Sequence, residues 1–436
     1  MKLHALSIGL ATGLASTLFA GETLRLHLQP DHEYILAGSP QEVVVKIDLT
    51  AIEQKKNTRR IPLNLAVVLD RSGSMTGAKI EKARQAAMGL VDRLAPDDIF
   101  SFITYSDNAE IVFSAQEVEN KEALKARISR IQPGGSTALY AGVHLGAQQV
   151  QKHLTGRRIN RVILLSDGLA NIGPSSPRDL RRLGGELSER GISVTTIGVG
   201  DDYNEDLMAG LAEASDANYY YVKDTEKLPE IFARELGELL TVAARRIRIE
   251  SFCPDGVTPL GFIGRPESFK DQRATVQLNQ FTTAQNRCLF LRCQVENGKP
   301  EIARVKVRYM DEINGGSEQI LSETATVRYT SDPKQAAASV QSGVVAKKEL
   351  LATAIAKDAA LFDADQGHYQ EAAKKLDKQA YALDLQIQNA PAPMQGALRE
   401  EIENLRFRSD QLRKNQYGAE TRKSLQSESW NTRNSK

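Results

Sequence analysis

Apolar positions along this chain follow two rhythms, and the places where one gives way to the other outline its architecture. Val43, Val45, Ile47 and Leu49 alternate with Val44, Lys46 and Asp48. A period of two belongs to a strand with one buried face, so this stretch predicts an antiparallel sheet. The same rhythm returns after about Ala243, where Ile247 and Ile249 alternate with Arg246, Arg248 and Glu250, and Val305, Val307 and Tyr309 with Arg304, Lys306 and Arg308. Further strands are expected near 273–280, 287–296 and 318–329.

From Ile61 the rhythm changes to unbroken apolar runs separated by amphipathic stretches. The runs predict strands at 63–69, 99–105, 111–113, 161–165, 193–199 and 219–222, and the stretches between them predict helices near 78–94, 120–130, 138–153, 177–190, 204–214 and 228–242. This alternation predicts an α/β unit, a doubly wound, mainly parallel sheet with helices on both faces. The link Ser106-Asp107-Asn108 is too short for a crossover, so the strand at 111–113 should be an antiparallel edge.

The β stretch before this unit is too short to bury a core alone. The simplest organisation is one β-sandwich built from 21–60 plus 244–330, with the α/β unit at 61–243 inserted into it. Two separate β modules are the alternative. The polar stretch Gln54–Arg60 is expected to be a connection. From Ser331 to residue 436 the pattern is helical. Tyr369, Ala373, Leu376, Ala380, Leu383 and Ile387 follow a four-three spacing, as do Leu398, Ile402 and Leu405, and Pro391 and Pro393 separate the two runs. An antiparallel helical hairpin is predicted. The polar last dozen residues, with the lone Trp430, are expected to be loosely ordered.

Charge adds little, because 56 Lys and Arg against 55 Asp and Glu give a net charge of +1 and no field suited to nucleic acid. The N-terminus adds more. Lys2 precedes an apolar segment rich in Leu, Ala and Gly that ends at Phe19-Ala20, which reads as an export signal over 1–20, with an uncleaved anchor as the lesser alternative because Leu18 departs from the small-residue preference. No later run approaches the ~18 apolar residues of a membrane span. The mature chain is therefore expected in a periplasmic or extracellular compartment. There, three cysteines are an odd number. Cys288 and Cys293 should face opposite sides of one strand; either a bridge from Cys253 to one of them or three reduced core residues fits the pattern.

Candidate chemistry begins at the end of the first buried run, at Asp70-Arg71-Ser72-Gly73-Ser74. One carboxylate and two hydroxyls on a tight turn suit a hard cation such as Mg²⁺, with Mn²⁺ or Ca²⁺ as alternatives. In an open parallel sheet, ligands bind beyond the carboxyl ends of the strands, where the strand order reverses. Two further oxygen ligands fit that position: Thr137, in Pro133-Gly134-Gly135-Ser136-Thr137, and Asp167, which ends the run Val162–Ser166.

In these five residues the chain resembles the von Willebrand factor type A family. Asp70, Ser72 and Ser74 match its DxSxS motif, Thr137 its isolated threonine and Asp167 its distal aspartate; together they form what the family calls a metal-ion-dependent adhesion site. The resemblance covers roughly 61–243. The stretch Gly198–Asn204 followed by Tyr219-Tyr220-Tyr221 also looks like bacterial members related to calcium-activated chloride channel regulators and inter-alpha-trypsin inhibitor heavy chains. The resemblance implies a Rossmann-like sheet, and a metal that takes an Asp or Glu carboxylate from a partner protein. The expected function is therefore an exported binding module and not an enzyme. A subunit of an envelope or chaperone-type assembly with a structural metal is the alternative. A metal-dependent hydrolase is disfavoured, since His4, His27, His32, His144, His153 and His368 are scattered and no His-Glu-x-x-His or phosphate loop occurs.

Overall fold

The computed structural model describes residues 23–52, 60–283, 285–296 and 298–434. The expected export signal and most of the Gln54–Arg60 connection lie outside the described residues. The chain opens with β1 (Leu24–Pro30), β2 (Tyr34–Leu36) and β3 (Gln41–Ala51). The α/β unit follows as β4 (Leu63–Asp70), α1 (Ala78–Arg93), β5 (Ile99–Tyr105), β6 (Ala109–Glu117), α2 (Lys121–Ile128) and α3 (Leu139–Gln151). It continues through β7 (Ile159–Ser166), α4 (Pro177–Glu189), β8 (Ser193–Val199), α5 (Glu205–Ala214), β9 (Tyr219–Val222) and α6 (Leu228–Leu239).

Its sheet runs β6-β5-β4-β7-β8-β9, parallel except for β6, which pairs antiparallel with β5. Every residue of β4, β5 and β8 is buried, because helices cover both faces. One core layer gathers Val67, Phe102 and Ile163 against Leu90 of α1 and Phe232 of α6, and the opposite layer gathers Val68 and Val162 against Val143 of α3 and Leu211 of α5. Strand order reverses between β4 and β7, since the chain leaves β4 toward β5 and later returns to its other side.

After α6 the chain forms β10 (Val242–Phe252), β11 (Val257–Phe262), β12 (Arg273–Thr282), β13 (Asn286–Val295), β14 (Glu301–Asp311), β15 (Ser317–Thr326) and β16 (Arg328–Thr330). Two four-stranded antiparallel sheets, β1-β3-β13-β11 and β12-β10-β14-β15, enclose one core. β3 lies beside β13 from Gln41↔Val295 to Thr50↔Asn286, so strands on either side of the inserted unit complete the same sheet. β11 was not foreseen. Pro259 and Gly261 interrupt its pattern, and an edge strand tolerates proline because the missing N–H faces no partner. The sulfurs of Cys253 and Cys293 face each other in the sandwich core at 3.8 Å, both reduced, while Cys288 points the other way toward Lys347.

Helices α7 (Pro333–Ala338), α8 (Ser342–Asp365), α9 (Tyr369–Ile387), α10 (Ala392–Arg413) and α11 (Ala419–Arg433) complete the chain. α9 and α10 make the foreseen hairpin, and two further helices enlarge it. α8 packs on α9 through Ala346, Ala360 and Ala364, and lays Val344 on Val44 and Phe290 at the outer face of the sandwich. Burial on two sides spreads its apolar residues around the helix and hides any single stripe. The expectation of a loose C-terminus is corrected. Trp430 is 7% exposed and packs edge-on against Tyr219 of β9, in the core layer of the α/β unit. Lys423, also buried, donates to the Tyr203 carbonyl at 2.8 Å and pairs with Glu205 at 2.7 Å. A polar helix is thus held by one aromatic anchor and by charges whose partners lie far away in sequence.

Trp430 is the lone tryptophan, so its emission reports the docking of α11. Native protein should emit at the short wavelength of a buried indole. Lys423→Ala leaves the buried Glu205 with Arg422 alone and should weaken docking by about 2 kcal/mol, the scale of one hydrogen bond to a charged group, moving emission to the red and raising iodide quenching. Solvent-like emission from the native chain would refute the docking.

Candidate metal centre

Asp70 is the last residue of β4 and has no solvent exposure. Its Oδ1 accepts the Ser72 amide at 2.8 Å, an Asx-type turn that reverses the chain and brings the Ser72 and Ser74 side chains back over the strand end. Its Oδ2 accepts the Ser166 hydroxyl at 2.8 Å from β7. Two backbone hydrogen bonds then stitch this turn to the next loop, Gly73 N to Gly135 O at 3.0 Å and Gly134 N to Arg71 O at 2.6 Å. Gly135 has φ +86°, and a Cβ there would lie 2.8 Å from Asp107 Oδ2 and 3.1 Å from Ser106 Cβ, so only glycine permits the approach. Thr137 follows, its amide donating to Asn171 Oδ1 at 2.8 Å and so tying this loop to the one after β7.

All five residues expected at the site come together. Ser72 Oγ and Ser74 Oγ are 3.0 Å apart, and Ser74 Oγ donates to Asp167 Oδ1 at 2.7 Å. The sharpest measure of convergence is Gly168. A Cβ built on it would lie 3.2 Å from Ser74 Oγ, 3.3 Å from Thr137 Oγ1 and 3.9 Å from Ser72 Oγ, so three hydroxyl oxygens surround one point that glycine leaves open. Two carboxylates and three hydroxyls are the hard, small donors that a Mg²⁺-class ion prefers. Among the described residues, no three His, Cys, Asp or Glu side chains gather into a second candidate. The donor set therefore fits a divalent cation, which Asp70, Ser72, Ser74, Thr137 and Asp167 would hold.

Burial falls from floor to mouth. Asp70 and Asp167 are fully buried, Thr137 is nearly so, and Ser74 is exposed. Burial raises the Asp70 carboxyl above its ordinary value, against hydrogen bonds from Ser72 and Ser166 that lower it, and the Asp167 charge raises it further. Buried beneath the site, the Tyr105 ring packs on Gly142 of α3 and its hydroxyl donates to the Leu165 carbonyl at 3.2 Å; burial and the Asp70 charge push this phenol well above its usual range. Leu169, at 59% exposure, and Ile172, at 37%, stand open on the loop that follows Asp167. Ser166, Asn171 and Lys79, whose Nζ lies 2.6 Å from Asp167 Oδ2, escaped the sequence reading. Ser166 directly precedes a foreseen ligand, which was the one available signal; the other two become neighbours only through the fold.

A doubly wound sheet with a hydroxyl-rich, two-carboxylate pocket at its switch point defines the class of metal-site α/β domains. Residues 64–234 match the von Willebrand factor type A domain. The chain is 31% identical over 293 residues to sll0103 of Synechocystis sp., covering 64% of this chain and 69% of that one. It is 29% identical over 162 residues to human inter-alpha-trypsin inhibitor heavy chain H4, covering 35% of this chain and 17% of that one. A solved von Willebrand factor type A structure from Catenulispora acidiphila superposes with a TM-score of 0.70 at 18% identity, over 86% of this chain and 89% of that one. The chain belongs to the von Willebrand factor type A family.

In the metal-free protein, a raised Asp70 pKa means that the folded state binds more protons than the unfolded one through the window above the ordinary carboxyl value. Stability therefore falls as pH rises through that window and stays reduced at neutral pH. Metal-free Asp70→Asn should accordingly be at least as stable as wild type at pH 7. Wild type at a Mg²⁺ concentration one hundred times its Kd should gain about 2.7 kcal/mol, seen as a raised Tm, and Asp70→Asn should gain nothing. An equal Mg²⁺ shift in both would remove Asp70 from the site.

Proposed function

We propose that this protein is an exported, metal-dependent protein-binding module, in which Asp70, Ser72, Ser74, Thr137 and Asp167 hold a Mg²⁺-type ion, with Mn²⁺ or Ca²⁺ as substitutes. When bound, the ion supplies an electrophilic position for an Asp or Glu carboxylate of a partner protein. The observation that carries this reading is the convergence of three hydroxyls over two buried carboxylates beneath an exposed mouth.

This chain's own residues do the positioning. Ser166 and the Ser72 amide orient Asp70, Ser74 orients Asp167, and the glycines at 135 and 168 let the three loops close around the site. Leu169 and Ile172 offer apolar contact beside the mouth, so the favoured partner surface is an acidic side chain flanked by apolar residues. The reading is binding and not turnover. Asp70 and Asp167 are both assigned to the ion and lie at the buried floor of the site, so neither is placed as a general base toward a ligand at the mouth. In this organisation 61–243 is the binding domain, the sandwich of 21–60 plus 244–330 is its mount, and 331–436 braces both.

The test is a pull-down from envelope extract with Mg²⁺ or with EDTA. Partners should be retained only with Mg²⁺ and lost with Asp70→Ala, while Trp430 emission shows that the variant is folded. Identical partners in both buffers would sink the mechanism. Leu169→Asp should leave Mg²⁺ binding intact and weaken capture by about tenfold or more, the effect of placing a like charge against an acidic partner.

A further inference from the structure

Two carboxylates around a divalent ion make a neutral ligand set, which has little pull on an outside anion. The structure adds a third charge. Lys79, on the first turn of α1, places Nζ 2.6 Å from Asp167 Oδ2, while the other Asp167 oxygen accepts the Ser74 hydroxyl at 2.7 Å. The lysine side chain is 26% exposed and Asp167 not at all, so the pair lies at the wall of the site and is only partly screened. Gly200, just after β8, lies beside it, since a Cβ there would sit in ordinary contact 3.7 Å from Lys79 Cε and Nζ. The other cation beside the motif, Arg71, is turned to Glu110 at 3.4 Å. Asp107, across the site, accepts the Ser136 amide at 2.9 Å and keeps its negative charge, which a substitution at Lys79 leaves unchanged.

We propose that Lys79 sets the charge of the loaded site and so selects a carboxylate partner, at the expense of cation affinity. The inference rests on the metal-dependent capture reading above. For the ion, its two carboxylates and the lysine paired with Asp167, the ion brings two positive charges, Asp70 and Asp167 remove two, and Lys79 returns one, leaving this group at +1. A partner carboxylate then brings it to neutrality. Without Lys79 the same carboxylate would leave an excess negative charge over two fully buried aspartates. Lys79 also engages Asp167 Oδ2, so the ammonium and the ion would share the charge of this carboxylate. Repulsion between the ammonium and the ion opposes loading, while its attraction for an anion supports capture. The two effects have opposite signs, which separates this role from a merely structural one.

Mn²⁺ and acetate are the probes, used on the full chain. Mn²⁺ affinity is read by the relaxivity of water protons, and acetate capture by the relaxivity lost when it displaces a Mn²⁺-bound water. For Lys79→Met, Mn²⁺ should bind about tenfold more tightly and half-maximal acetate effect should need about tenfold more acetate, the scale of one unit charge several ångströms away at a partly exposed site. Lys79→Arg should stay near wild type in both. Trp430 emission confirms folding, with Lys79→Gln as the substitute if Lys79→Met does not fold. Tighter binding of both ligands in Lys79→Met would show that the lysine only competes for the ion's place and would overturn the proposal. Weaker Mn²⁺ binding would mean that the lysine serves to hold Asp167, and would overturn the proposal equally. Unchanged acetate capture in the variant defeats the role of Lys79 alone. A Mn²⁺-loaded wild type that ignores acetate defeats the capture reading, and this inference with it.

Discussion

Everything near the switch point answers to one electrostatic constraint: two carboxylates with no access to water end adjacent parallel strands. Left alone, such a pair would be strongly destabilising. The surrounding atoms relieve it step by step, with the Ser72 amide and Ser166 hydroxyl on Asp70, and the Ser74 hydroxyl and Lys79 ammonium on Asp167. What these groups leave uncompensated is the kind of charge that a divalent cation would balance. The Asp70 carboxyl is raised by that burial and by the Asp167 charge beside it, which marks this strand end as the candidate site.

Holding this arrangement demands a rigid base, and the rest of the chain supplies one. The sandwich closes by pairing β3 with β13, strands that flank the inserted unit, so both ends of that unit are anchored in one structure. Arg245 strengthens the junction by donating to the Gly156 and Arg158 carbonyls of the α/β unit at 2.8 and 2.9 Å while engaging Glu312 of the sandwich. α11 then returns to β9 at the sheet edge, where Trp430 and Lys423 cover what would otherwise be an open side. Lys423 grips the Tyr203 carbonyl in the loop that begins at Gly200, beside Lys79. The tail and the candidate metal centre thus bear on the two ends of one short loop.

Periodicity alone disclosed most of the α/β unit, because strands buried on both faces and helices buried on one leave unmistakable apolar patterns. Strands at Ile99–Tyr105, Ser193–Val199 and Tyr219–Val222 begin and end where the runs do. β11 was hidden by its proline and glycine, and α8 by burial on two sides. α11 was hidden because its anchors are a tryptophan and a buried lysine on a polar helix, and polarity is what a free tail shows too.

By itself, then, the sequence determined the alternation of elements, the ends of the buried strands and the five oxygen-bearing residues of the candidate site, since each depends on chemistry local to a strand end or a glycine turn. Only tertiary structure decided the company those residues keep. That Gly168 leaves open the point on which the Ser72, Ser74 and Thr137 hydroxyls converge follows from three loops closing together. That Asp167 shares its charge with Lys79 follows from the packing of α1 against the sheet. The reason is physical: charge balance sums over neighbours in space, and residues 79 and 167 become neighbours only when the sheet is built.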